Sequence, residues 1–141
     1  MTTTKRVPVA EGLFIETAEG PRLIGSRCAG CGTPYFPRSV VCHHPECRES
    51  KIEEASFGPR GTLWSCAIQN YPPPAPARYE EPYSPYAVGM VDMPEGLRVL
   101  ARISADDPEA VQPGAEVELV LERLYLDENG DEVITWKFRP I

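Results

Sequence analysis

From about Glu54 onward, apolar and polar residues alternate in short runs broken by Gly, Pro and Asp, the period-two pattern of half-buried β-strands. Gly61 to Tyr71 predicts a first strand with Trp64, Cys66 and Ile68 on one face. Pro85 to Val91 and Leu97 to Ile103 predict a second and a third, joined into a hairpin by the turn Asp92-Met93-Pro94-Glu95-Gly96. In the third strand Leu97, Val99, Ala101 and Ile103 alternate with Arg98 and Arg102, so one face is buried and the other wet. The connection Ala105 to Gly114 leads to a fourth strand over Val117, Leu119 and Leu121, with Glu116, Glu118 and Glu122 facing away. Asn129-Gly130 is a tight-turn signal that opens a fifth strand, Val133 to Phe138. Five strands in about 85 residues, with the longest connections after the first and third, predict a small Greek-key barrel of OB type, with a sandwich as the alternative.

Upstream the alternation is absent. Residues 1–24 read as a short arm: Leu13, Phe14 and Ile15 form a small apolar patch, and Glu19-Gly20-Pro21 turns the chain before Leu23-Ile24. Residues 25–52 hold four of the five cysteines and too few aliphatic side chains to build a core, so a metal must supply their stability. The chain is thus expected to divide into an N-terminal arm (1–24), a metal ribbon (25–52) and a β domain (53–141).

Those cysteines are spaced C-x2-C, ten residues, then C-x4-C: Cys28, Cys31, Cys42 and Cys47. A C-x2-C pair at a tight turn presents two thiolates to one ion, and a second pair completes a tetrahedron with Zn–S near ~2.3 Å. Gly30 and Gly32 give the first knuckle its backbone freedom. The pattern is that of a rubredoxin-like ribbon holding structural zinc. Iron in the same four-sulfur site, or free or disulfide-bonded cysteines, are the alternatives. His43 and His44 lie between ligands that already close the shell and are expected to be solvated, and Cys66 reads as a small hydrophobe on a strand face.

Composition narrows the function. The apolar share of 42% and charged share of 25% suit a globular domain. A net charge of −7 speaks against neutralising phosphates, so nucleic acid is a poor partner. The N-terminus has no apolar leader and no window approaches the ~20 apolar residues of a membrane span, which places the chain in the cytoplasm, away from membranes. In that reducing compartment five cysteines fit four ligands and one spare. The two histidines sit together in the ribbon without a nucleophile, and there is no phosphate loop, G-x-G-x-x-G or H-E-x-x-H, so the chain has no catalytic residue of its own. Six of the sixteen prolines, Pro72, Pro73, Pro74, Pro76, Pro82 and Pro85, cluster in a stiff loop, and Tyr71, Tyr79, Tyr83 and Tyr86 make that stretch a candidate partner-binding surface, the alternative being a loop simply laid over the barrel mouth. Arg98 and Arg102, with Arg123, Lys137 and Arg139 in reach, are candidates for an anionic ligand.

R-C-x-x-C-G at 27–32, Pro37-Arg38, the second cysteine pair, G-x-L-W-S at 61–65, P-Y-A-V-G-M-V-D-M at 85–93 and E-G-L-R-V-L-A-R at 95–102 together resemble one family. It comprises the zinc-ribbon/OB-fold proteins, long called a domain of unknown function, that accompany thiolase-superfamily enzymes. The resemblance covers the chain from about Leu23 to the end. It implies an accessory subunit that has no activity alone and serves a thiolase- or aldolase-type complex, including lipid-transfer-protein-like aldolases that cleave steroid side-chain thioesters. It further implies an acyl-CoA at the shared interface, and it carries over only Cys28, Cys31, Cys42 and Cys47, as zinc ligands. The second knuckle, C-x4-C where C-x2-C is common, and an arm without a helical segment depart from the family pattern. The rival classes are a nucleic-acid-binding OB module, which needs a basic groove interleaved with aromatics, and a self-sufficient small hydrolase or acyltransferase.

Overall fold

Alternation decides which side of each strand turns inward, and the computed structural model, which describes residues 5–141, follows it through most of the chain. Residues 1–4 of the expected arm lie outside the described residues. The strands are β1 (Arg6–Pro8), β2 (Phe14–Thr17), β3 (Gly20–Cys28), β4 (Pro34–Tyr35), β5 (Ile52–Phe57), β6 (Arg60–Gln69), β7 (Tyr86–Asp92), β8 (Arg98–Ile103), β9 (Glu116–Leu126) and β10 (Glu132–Pro140). Among the described residues no helix is long and apolar enough to cross a membrane.

The last five strands close a barrel. β6, β7 and β8 form an antiparallel meander, β8 pairs parallel with β10, and β9 pairs antiparallel with both β10 and β6. Closure removes the open edges that a sandwich would keep, and the OB-type expectation holds. The β8–β10 seam is short, registering only Arg102 with Lys137 and Ile103 with Phe138. On β8 Val99, Ala101 and Ile103 point inward while Arg98, Leu100 and Arg102 point outward, as alternation predicts. β9 and β10 run past their predicted ends because the hairpin pairing continues out to Leu126 and Glu132 around the Asn129-Gly130 turn.

Residues upstream of the cysteines are tied in by pairings that alternation does not reveal. β1 lies parallel to β10, matching Arg6 with Glu132 and Pro8 with Ile134. Residues 20–24 are the first half of β3, the central strand of a second sheet that pairs with β2, β4 and β5. From this sheet the registered pair Leu23 and Phe57 enters the same core as Leu63, Val91, Leu119 and Phe138. Phe14 and Phe36 pack on Trp136 of the barrel at centroid distances of 6.5 and 5.4 Å, and the Gly58 amide donates to Glu95 Oε2 at 3.0 Å, tying the inter-sheet link to the β7–β8 turn.

One face assignment is corrected. Trp64, Cys66 and Ile68 do not share a face: the β6–β7 register steps from Leu63↔Val91 to Ser65↔Met90, so Trp64 is the extra residue of a β-bulge. Before the bulge Leu63 faces the core; after it Cys66 and Ile68 pack on it; Trp64 itself is swung outward and stays 55% exposed. The bulge needs a bare backbone opposite, and Gly89, registered with Cys66, provides it. A Cβ at Gly89 would run into the Ser65 carbonyl and the Leu63 side chain.

Gly89→Ala is therefore expected to destabilise the protein by about 1–3 kcal/mol through overpacking. Trp64→Ala should cost about 1 kcal/mol or less, mainly its stacking with Arg98, which lies 3.8 Å over the ring, rather than the ~3–5 kcal/mol of a core tryptophan. Urea unfolding of both variants measures the two values, and a large Trp64 loss would contradict the outward bulge.

Candidate functional site

β3 delivers the first ligand. Cys28, fully buried, ends the strand, and the chain reverses at once: the Cys28 amide donates to the Thr33 carbonyl at 2.9 Å and the Gly32 amide to the Cys28 carbonyl at 2.6 Å. Gly32 has φ +83°, a conformation that side chains disfavour, so the knuckle that brings Cys31 beside Cys28 rests on glycine there. The looser second knuckle is held by the Cys47 amide on the His44 carbonyl at 3.1 Å and the Cys42 amide on Ser50 Oγ at 3.0 Å.

All four sulfurs lie within 4.8 Å of one another, with Cys28–Cys47 at 3.7 Å and Cys31–Cys42 at 3.5 Å. A tetrahedron with ~2.3 Å metal–sulfur arms has edges of about 3.8 Å, whereas a disulfide would draw two sulfurs to about 2.05 Å. The cluster fits one zinc ion and excludes bridged pairs. Four thiolates fill its coordination shell and leave no position for substrate, so the metal's part is structural.

Hydrogen-bond donors surround the sulfurs. The Lys51 amide approaches Cys28 Sγ at 3.5 Å, Tyr35 Oη donates to Cys42 Sγ at 3.3 Å, and Thr33 Oγ1 lies 3.1 Å from Cys31 Sγ. The Lys51 bond outweighs burial and pulls the Cys28 thiol down to about 6; Thr33 pulls Cys31 down likewise. The Glu49 amide also draws Cys47 down, but burial and the neighbouring sulfurs together push it up to about 12. Four thiolates at this spacing need a divalent cation between them, and taking it up releases the remaining protons. His43 and His44 are exposed and turn away: His43 Nε2 meets Ser39 Oγ at 3.1 Å and His44 Nδ1 accepts the Glu46 amide at 3.1 Å.

The proline-rich loop between β6 and β7 is pinned to the barrel from both sides. Tyr83 Oη donates to the Gln69 carbonyl, and Tyr79, Tyr83 and Tyr86 pack edge-on in series with centroids 5.6 and 6.3 Å apart. At the β9–β10 hairpin Arg78 pairs with Glu128 at 3.3 Å and stacks over Tyr125 at 4.7 Å, while Glu80 pairs with Arg123 at 2.7 Å. Of the four tyrosines singled out from sequence, three form this ladder, and Tyr71 stands 79% exposed.

Arg98 and Arg102 share the outer face of β8 but not a site, since four residues of strand separate them by about 13 Å. Arg98 is held by Asp92 through two bonds of 2.6 and 3.1 Å and lies 3.8 Å over the Trp64 ring. That pairing raises the Arg98 pKa and lowers that of Asp92. Arg102 stacks on Tyr86 at 3.7 Å, beside Lys137. Arg123, Lys137 and Arg139 each pair with glutamates, so among the described residues these cations form no continuous basic groove. Sequence reasoning missed Trp64 and Arg78, and neither has a local sign: one depends on a bulge, the other on a distant hairpin.

Comparison with known proteins gives concordant matches. Residues 18–53 match the family model "ChsH2, rubredoxin-like zinc ribbon domain" and residues 54–122 the model "ChsH2, C-terminal OB-fold domain". A "DUF35 domain-containing scaffold protein" of Methanothermobacter thermautotrophicus is 36% identical over 84% of this chain and 86% of its own length. "Benzoylsuccinyl-CoA thiolase subunit BbsA" of Thauera aromatica is 32% identical over 86% of this chain and 78% of its own. Among solved structures, "Ltp2-ChsH2(DUF35) aldolase" superposes with a TM-score of 0.63 at 26% identity, covering 84% of both chains. The resemblance read from the motifs is thereby shown.

The purified chain is expected to hold one zinc per molecule by elemental analysis. Cys28→Ser should lose the metal and much of the thermal stability, whereas Cys66→Ser should keep both within about 1 kcal/mol, because Cys66 lies outside the cluster.

Proposed function

The chain belongs to the family that pairs a ChsH2-type zinc ribbon with an OB-fold, the DUF35 proteins, and from that premise we propose that it is an accessory, non-catalytic subunit of a thiolase-like acyl-CoA enzyme. The observation that carries the reading is that relatives matched over most of their length are described as a scaffold protein and a thiolase subunit. The arrangement of the chain's own groups supports it. Its metal shell is closed, and both histidines are exposed loop residues bonded to their own ribbon. A partner must then supply the nucleophile, acid and base for any carbon–carbon bond chemistry.

In this reading the partner is a thiolase, or a retro-aldolase acting on steroid or lipid side-chain CoA thioesters, and this subunit stabilises it and helps form its CoA channel. The ribbon and the proline-tyrosine loop meet the partner. Val40 and Val41, between the two ligand pairs, are 88% and 46% exposed, and Tyr71 projects from the start of the loop. Apolar groups held out by a metal-stiffened loop lose little entropy on docking and suit the buried centre of an interface. The acidic balance and the paired surface cations weigh against the nucleic-acid reading.

Affinity capture of the tagged chain from its native host, with the bound chains identified by mass spectrometry, is expected to return a thiolase-superfamily subunit in stoichiometric amount. Val40→Asp, which touches no core, should leave zinc content and folding intact and weaken capture at least tenfold. Recovery of the chain alone, or with nucleic acid, would overturn the proposal.

A further inference from the structure

Among the described cations that are not fully exposed, Arg22 and Arg27 donate to backbone carbonyls and Lys137 pairs with Glu122, and Arg102 differs from all three. In a chain with 21 acidic residues, its half-buried guanidinium has no ion pair and no hydrogen bond among the described residues; the Tyr86 ring lies against it at 3.7 Å, with Tyr83 nearby. Its neighbour across the β8–β10 seam is another cation, Lys137, which already shares Glu122 at 3.7 Å with the Ser104 hydroxyl. Burial draws both basic groups down from their ordinary values, with the tyrosines partly offsetting this for Arg102 and Glu122 for Lys137. The local balance is one uncompensated positive charge, partly withdrawn from water.

That charge stands at the edge of a slot. Below Arg102, where the β8–β10 pairing stops after two residue pairs, the outer face of the barrel forms an open groove of about 250 Å³. Val88, Leu100, Ala101, Leu124 and Trp136 line it, with the buried Thr135 as the one uncharged polar side chain besides Tyr86, and Arg102 is the one charged group. At ~30 Å³ per water the volume equals about eight waters, enough for a short hydrocarbon chain. An apolar slot with one charged group at its edge binds amphipathic ligands, the charge fixing their orientation.

We propose that this seam is a binding site for an amphipathic monocarboxylate, its tail lying in the groove on the outer face of β8 and β10 and its carboxylate held by Arg102. Stacking on Tyr86 occupies one face of the guanidinium and leaves its N–H edges for a planar carboxylate, which they meet in a fork of two parallel bonds. One unpaired unit charge calls for a monoanion, and a bare inorganic anion would leave the apolar walls in water. The site lies within this chain and does not rest on the partner proposed above.

The test uses the full-length, zinc-loaded protein alone, titrated with sodium octanoate, 1-octanol and inorganic phosphate. The reporter is the NMR signal of the Trp136 indole N–H, which donates to the Leu100 carbonyl at 3.3 Å across the slot, with the Trp64 indole outside it as control. Octanoate should shift the Trp136 signal saturably and leave Trp64 unmoved. Octanol should bind at least tenfold more weakly, and phosphate should shift neither signal. In Arg102→Leu, with zinc content and unfolding temperature checked against wild type, octanoate affinity should fall at least tenfold while octanol is unaffected. Equal binding of octanoate and octanol, an equal response to phosphate, a non-saturating shift, or undiminished octanoate binding by Arg102→Leu would each overturn the proposal.

Discussion

Everything in this molecule hangs on the strand Gly20–Cys28. It is the one strand of its sheet with partners on both sides, and its two ends belong to different structures: Leu23 lies in the barrel core opposite Phe57, and Cys28 is a metal ligand. Structural zinc contributes an apparent ~10–16 kcal/mol in small ribbons, as large as the ~5–15 kcal/mol by which a whole domain is stable. An ion at Cys28 therefore fixes more than a loop. It holds the end of a strand whose other half, with Phe57, caps the barrel, so ribbon and barrel are coupled through shared apolar contact rather than strung together as separate beads.

The barrel's outer surface is ordered by aromatic rings more than by charges. The ion pairs that pin the proline-rich loop are substantially exposed, and each contributes at most about 1 kcal/mol. The series Tyr79, Tyr83, Tyr86 is continuous packing of large rings, and proline limits what the loop loses on ordering. The ladder ends under Arg102. A loop that reads in sequence as a candidate contact surface is thus also the support on which one cation of the barrel wall rests.

Local chemistry was legible in the sequence and long-range pairing was not. The four ligand cysteines could be named from spacing because knuckle geometry is a matter of adjacent residues. The inward face of β8 could be named because alternation fixes it. The face of Trp64 could not, since a bulge adds one residue and inverts the parity downstream, and the glycine that permits it sits on the neighbouring strand. Nor could the role of Arg6 to Pro8, whose partners in β10 lie more than a hundred positions away and whose three residues carry no periodicity. Arg98 and Arg102 were correctly placed on a wet face, but their fates differ by what stands beside them: Asp92 for one, only a ring for the other.

That difference bears on what such a chain offers to a partner. A catalytic site needs groups left deliberately unsatisfied, whether an open metal position or an unpaired base, and the groups of this chain singled out from sequence are mostly engaged. Its zinc shell is full, Arg98, Arg123, Lys137 and Arg139 are paired with carboxylates, and its histidines are engaged by their own loop. What is left incomplete is apolar or aromatic and lies outside: Val40, Val41, Trp64, Tyr71 and Leu100. Unsatisfied apolar surface asks for contact rather than for reaction. A surface of this kind suits a protein whose effect is exerted by being held against another, with Arg102 a half-buried position where the unmet demand is for charge.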